Sequence, residues 1–339
     1  MEQRVINSVD GEPELSVIIP AHNAAATIVN ALASVARQDG LRPEIIVADD
    51  ASRDDTAKVV ADWARAHPHI PLSLIRMKTR VYALRARLAA LGQARAPDVM
   101  YLDADDSWEG IHRVPQALAQ KRRMECEVLH FRSTGFLDGK SIGELLWTAP
   151  PLDTCLSGKE IFAAYARMEY IPLQLWNKIY SRILLQRAAQ FVGNSEIFYF
   201  DDKFFVSLVL MCASSWAHSE EYIYRYILSP AWPLEKSCKC AHDLLEIRKK
   251  AEVVFPILGI DAQSRQDYLY FINRRLVYHF GRLSINVEKQ LTEDSTPHDI
   301  LAQITEWLPM GEVLPALVAG AQKNVQRIIK ISRRIHEKF

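Results

Sequence analysis

The sequence predicts an α/β fold built on a mostly parallel, doubly wound sheet, because short apolar runs alternate with stretches of helical periodicity and each run ends abruptly in polar residues. Leu15-Ser16-Val17-Ile18-Ile19 is the first run, rich in β-branched residues and closed by Pro20, the pattern of a strand buried on both faces. After Pro20-Ala21-His22-Asn23, the apolar residues Ile28, Leu32 and Val35 recur at helical spacing across 24–38, and Asp39-Gly40 stops that helix. Glu44-Ile45-Ile46-Val47-Ala48 repeats the strand pattern and runs into Asp49-Asp50-Ala51-Ser52. Asp54 or Asp55 is placed to cap a helix carrying Val59, Val60 and Trp63, which Pro68 ends. Residues 72–75 read as a third strand, 82–93 as a helix and 99–102 as a fourth strand.

That fourth strand delivers Asp103-Ala104-Asp105-Asp106, three carboxylates within four residues. Carboxylates so close raise one another's pKa unless a counter-charge is present, and a divalent metal carrying a diphosphate supplies one. The competing reading is a solvated acidic turn. What precedes the cluster decides between them. In open α/β sheets ligands bind beyond the carboxyl ends of the strands, where loops converge. Asn23, Asp49, Asp50, Asp103, Asp105 and Asp106 all follow strand ends, so a single crevice is expected to collect them.

Composition bounds the partners. The 339 residues carry 41 basic and 41 acidic side chains, so no global field points to nucleic acid. No apolar run reaches the ~18 residues of a membrane span, and residues 1–10 have no apolar core like that of a signal peptide, so a cytoplasmic location is expected. Five scattered cysteines fit reduced thiols better than a disulfide framework. Cys238-Lys239-Cys240-Ala241-His242 has no second ligand pair at zinc spacing. The expected organisation is a catalytic domain over 1–230 followed by a helical region over 231–339.

At this point the motifs resemble those of glycosyltransferase family 2, whose nucleotide-binding fold is the GT-A type. Ser16-Val17-Ile18-Ile19-Pro20-Ala21-His22-Asn23 is similar to the family's opening strand and loop, and Glu44–Thr56 to its second strand with acidic loop and helix start. Tyr101-Leu102-Asp103-Ala104-Asp105-Asp106 falls where the family carries Asp-x-Asp. Further on, Trp176-Asn177-Lys178 and then Phe200-Asp201-Asp202 resemble the later half of bacterial polysaccharide-assembling members.

The resemblance implies a metal-assisted, inverting transfer from a nucleotide sugar, with UDP the expected nucleotide, to a glycan or lipid-linked acceptor in bacterial surface polysaccharide assembly. Pro20, Ala21, Asn23, Asp49, Arg87, Asp103 and Ala104 would line the nucleotide-sugar site, with Asp49 accepting from the base and Arg87 meeting the diphosphate. Asp103 and Asp105 would hold Mg²⁺ or Mn²⁺, hard cations suited to oxygen ligands. Asp202, or failing it Asp201, would be the general base, against the alternative that the pair merely caps a helix. Trp176 would shape the acceptor pocket. Residues 323–339 read as a basic amphipathic helix, suited either to an anionic membrane surface or to docking on protein. Self-association stays open. The readings in competition are a non-catalytic nucleotide-sugar-binding scaffold and a nucleotidyltransferase, but the latter needs a Gly-rich phosphate loop that 21–27 does not supply.

Overall fold

Continuous apolar runs become strands here because both faces of the sheet are covered. In the computed structural model, which describes residues 2–7, 11–148, 155–167, 174–228 and 234–290, β2 (Leu15–Ala21) is buried at every position. It lies between β3 (Pro43–Asp49) and β5 (Asp98–Tyr101), parallel to both, and β4 (Leu72–Arg76) extends the parallel set beyond β3. The helices α1 (Ile28–Ala36), α2 (Thr56–Ala66) and α3 (Tyr82–Leu91) connect these strands. Ile28, Leu32 and Val35 of α1 join β2 and β3 residues in the main apolar cluster, as their spacing predicts. Each such side chain taken from water contributes about 1.5–3 kcal/mol.

Beyond β5 the sheet becomes mixed. Its remaining strands are β6 (Ser107–Trp108), β7 (Val128–Leu137), β8 (Lys140–Glu144), β9 (Leu156–Ser157), β10 (Lys178–Ser181) and β11 (Ser215–Ile227). The order runs β4-β3-β2-β5-β10-β7-β11-β6, with β8 beside β7 and β9 beside β11. β10 is antiparallel to both neighbours, whereas the β7–β11 pair is parallel. Helices α4 (Arg113–Arg123), α5 (Lys159–Ala166), α6 (Arg182–Ala189) and α7 (Asp201–Cys212) complete this part. One strand escapes the sequence reading, β1 (Glu2–Asn7), which pairs antiparallel with the outer side of β4. Its polar composition has no strand signature; Asn7 ties it down by donating to the carbonyls of Ala64, His67 and Ile70.

The chain divides into two compact units, Met1–Gly193 with Asp201–Ser229, and Asn194–Phe200 with Pro230–Phe339. Every described strand belongs to the first. In the second, α8 (Leu234–Ile257) and α9 (Ala262–Gln290) pack through Leu244, Ile247, Ala251, Val254, Phe255, Tyr268, Phe271 and Ile272. Between them Gly259 adopts φ +62°, the left-handed stop that glycine allows, and Asp261 starts α9 by accepting from Ser264 N–H at 2.9 Å. Also within this unit, the buried Asp243 carboxylate accepts from the backbone N–H groups of Phe198, Tyr199 and Phe200. No helix among the described residues is long and apolar enough to cross a membrane. The basic helix expected at 323–339 lies outside the described residues.

Candidate active site

Register brings the strand-end loops to one edge. Ala21 lies opposite Asp49, Ile18 lies opposite Tyr101, and the Leu102 N–H donates to Ile18 O at 3.0 Å. The β2 and β3 loops are stitched together by Asp50 N–H on Ala21 O at 2.8 Å, Asn23 N–H on Ser52 Oγ at 2.9 Å and Arg53 N–H on Asn23 Oδ1 at 2.9 Å. Asn23 and Ala51 both take left-handed φ, +52° and +55°, a conformation Asn tolerates and Ala does so only at a cost. Pro20 and Ala21 are buried, so their side chains form the floor of the edge rather than reach from it.

The two β3 carboxylates have different partners. Asp49 is fully buried, accepts from Ser52 N–H at 3.0 Å and has Arg76 Nε at 3.4 Å. Asp50 accepts from Val81 N–H at 2.6 Å and Tyr82 N–H at 2.9 Å, pinning the start of α3, where Tyr82 itself is left-handed at φ +64°. Capping is therefore the observed employment of Asp50, and Asp54 caps α2 by accepting from Thr56 N–H.

Arg87, buried on α3, is the centre of the arrangement. Its Nη2 donates to Asp103 Oδ1 at 2.7 Å, while Nη1 donates to Asp202 Oδ1 at 2.8 Å and also to Asp201 Oδ2. A single guanidinium thus spans the end of β5 and the first turn of α7, about a hundred residues apart in sequence. Burial opposes its charge, but Asp202, Asp201 and Asp103 outweigh that and hold its pKa well above the ordinary value. The expected diphosphate role for Arg87 meets this observation directly: both terminal nitrogens are on carboxylates.

The acidic loop itself is unevenly used. Burial, reinforced by Asp202 and Asp105 and opposed by Arg87, pushes Asp103 up to about 6. Asp106 is buried, accepts from Tyr224 Oη–H at 2.8 Å and Ile227 N–H at 2.7 Å, and is raised well above the carboxylate range by burial and by its neighbours Asp103 and Asp105. The Tyr224 oxygen also accepts from Asp103 N–H at 3.0 Å, so this tyrosine sets the loop's shape. Asp105 is exposed, lies next to the buried Ala104, and takes part in no ion pair among the described residues.

Trp176 corrects an expectation. It is 2% exposed, stacked on Tyr224 at 4.2 Å and Tyr226 at 5.2 Å between ring centroids, so its ring is packing and not an open face for a sugar. Beneath it a buried polar row runs from Thr148 O and His130 through Asn177 to Lys178, whose Nζ donates to Asn177 Oδ1 and Gln174 O at 2.7 Å each. Burial lowers Lys178 to about 7, with Asp202 pulling the other way. Tyr224, Tyr226 and the buried state of Lys178 were not singled out from sequence. The available signal was the alternation of Tyr224 and Tyr226, which sets residues on one face of a strand.

The parallel α/β edge, with Asn23 beyond β2 and carboxylates beyond β3 and β5, is the place where open sheets of this kind bind ligands. Residues 16–130 match the family model Glycosyl transferase family 2. The Rhizobium meliloti succinoglycan biosynthesis protein ExoO is 35% identical over 100 residues, 30% of this chain and 28% of that protein. The Escherichia coli UDP-Glc:alpha-D-GlcNAc-diphosphoundecaprenol beta-1,3-glucosyltransferase WfgD is 30% identical over 128 residues, 37% of this chain and 44% of that protein. The chain therefore spans less than half the length of either relative. Among solved structures, S. aureus TarS 1-349 in complex with UDP superposes with a TM-score of 0.60 at 20% identity, over 90% of this chain and 81% of that one, a likeness of fold.

Proposed function

We propose that this protein is an inverting glycosyltransferase that moves a sugar from a UDP-sugar to a hydroxyl of a glycan or lipid-linked acceptor in bacterial surface polysaccharide assembly, working at the inner face of the membrane. The family match and the polysaccharide-building relatives support the reaction class. The observation that carries the reading is Arg87, which holds Asp103 of the acidic loop and Asp202 of α7 on the two ends of one guanidinium. Reaction at an anomeric carbon needs both a stabilised leaving diphosphate and a base for the incoming hydroxyl, and here the two sets of carboxylates adjoin.

The donor set fits a hard divalent cation. Among the described residues no three His, Cys, Asp or Glu side chains form a cage, but Mg²⁺ is usually held by one or two carboxylates and completed by water and substrate phosphates. Asp103 and Asp105 offer that pair, and Mg²⁺ or Mn²⁺ there would neutralise the departing diphosphate. Asp202 is the general base: its side chain is 23% exposed against 11% for Asp201, and Arg87 Nη1 holds it in place at 2.8 Å. Asp201 holds Arg87. Asp49, at the closed end of the β2–β3 edge, receives the base, and Asn23 with the Pro20-Ala21 backbone shapes that end.

Turnover of a panel of UDP-sugars against undecaprenol-diphosphate-linked saccharides tests the reading. One donor is expected to be consumed, and Asp202→Asn is expected to lose transfer by about 10²–10⁴-fold while UDP binding persists. Full transfer by Asp202→Asn would contradict the assignment of the base, and a wild-type protein that neither binds nor turns over any nucleotide sugar would contradict the reading as a whole.

A further inference from the structure

The geometry points to Trp147 as the platform of an acceptor-sugar subsite, a pyranose ring stacking on its indole with Tyr226 Oη at the polar edge. This rests on the glycosyltransferase reading and adds to it a binding surface that the buried Trp176 cannot supply. Trp147 lies in a single 3₁₀ turn, Leu146–Thr148, after β8, and it is 53% exposed. Its exposed indole adjoins the Tyr226 and Trp176 rings, an aromatic surface rather than an isolated apolar side chain.

Its position is fixed from behind. Trp147 meets Tyr226 edge-on at 5.8 Å between ring centroids with an interplanar angle of 85°, and meets Trp176 at 6.5 Å and 86°. Those two rings are in turn stacked on one another, and Trp176 is stacked on Tyr224. The turn is also anchored, since Thr148 O accepts from Asn177 Nδ2 at 3.0 Å and Thr148 Oγ1 donates to Leu145 O at 2.8 Å. A rigid aromatic plane binds a sugar ring with little loss of entropy.

Two connections join this ring to the reacting groups. Leu175, the residue before Trp176, directs its backbone N–H at Asp202 Oδ2 at 3.5 Å, so the aromatic stack begins beside the proposed base. Tyr226, against which Trp147 rests, is raised to about 12 by burial and by the carboxylates of Asp106, Asp103, Asp105 and Asp202. Its phenol therefore stays protonated and lies within the field of the whole acidic set, able to donate to an acceptor hydroxyl. Trp147 is thus joined through Trp176 to the segment whose N–H faces Asp202. Pyranoses expose C–H groups on one face and hydroxyls around the rim, which matches an apolar plane bordered by a phenol.

Saturation-transfer NMR with cellobiose, N,N′-diacetylchitobiose and lactose at millimolar concentration, with UDP and Mg²⁺ present, reads this subsite directly. Transfer to the ring protons of at least one disaccharide is expected, reduced about tenfold in apparent affinity by Trp147→Ala, largely restored by Trp147→Phe, and accompanied by an unchanged UDP titration. Nucleotide binding without saccharide contact, or contact that persists in Trp147→Ala, overturns the subsite alone. A weakened UDP titration in Trp147→Ala also overturns it, because the ring would then belong to the donor side. Failure of the wild type to bind UDP overturns the UDP-sugar reading and the subsite with it.

Discussion

The two sides of the candidate site are built differently. On the β2–β3 side, polar residues that follow strand ends mostly hold backbone: Asn23 and Asp50 accept from main-chain N–H groups, and Asp49 closes a turn on Ser52. On the α7–β11 side, side chains act on side chains, with Arg87 on three aspartates and Tyr224 on Asp106. The first side is a stiff frame and the second is an electrostatic balance. A carboxylate's place after a strand therefore announces a site without saying whether that carboxylate faces ligand or chain.

Removing Arg87 should break this comparison most severely. Arg87→Ala leaves Asp103, Asp201 and Asp202 without their shared counter-charge, and a loss of about 3–5 kcal/mol in denaturant unfolding is expected, partly recovered by millimolar Mg²⁺. A variant as stable as wild type would mean that the three carboxylates do not depend on Arg87 as their counter-charge.

Next in size is the frame. Asp50→Ala orphans the N–H groups of Val81 and Tyr82 and should cost about 2 kcal/mol, read in the same unfolding experiment, with no recovery by metal. That contrast in metal response is what separates frame from balance. Lys178 sharpens it through pH. Its folded pKa near 7 lies below the free value of 10.5, so the unfolded chain binds more protons between those values and wild-type stability should rise as pH increases from 7 toward 10. Lys178→Met should flatten that slope, and an unchanged slope would place the titration elsewhere. The smallest effect is expected from Asn23→Gly, which loses the bond from Arg53 but keeps the left-handed backbone, for a change of about 1 kcal/mol or less in the unfolding free energy.

The frame was the legible side. Leu15–Ile19, Glu44–Ala48 and the run before Asp103 carry a local pattern that fixes strand, direction and loop position together, and the parallel order follows from the helices between them. Asp201 and Asp202 were reached through family likeness, because nothing local distinguishes a first-turn carboxylate that caps a helix from one aimed at an arginine on another helix. Arg87 was found as a residue but not in its role: its three partners lie 16, 114 and 115 positions away. The burial of Trp176 was hidden for the same reason, since its cover depends on Tyr224 and Tyr226 arriving from β11. Strand β1 has no apolar pattern because it sits at a sheet edge, held by pairing and by Asn7.

The central claim is that Asp103 and Asp105 bring a metal and a nucleotide diphosphate to the carboxylates around Arg87. Thermal stabilisation by UDP with and without Mn²⁺, on wild type and on Asp105→Ala, tests it most directly, because Asp105 supports no other described ion pair. At a hundredfold excess over Kd a bound ligand adds about 2.7 kcal/mol. The account predicts a shift of that order only when Mn²⁺ and UDP are both present, and its loss in Asp105→Ala. A shift by UDP that needs no metal, or one that survives in Asp105→Ala, would contradict it.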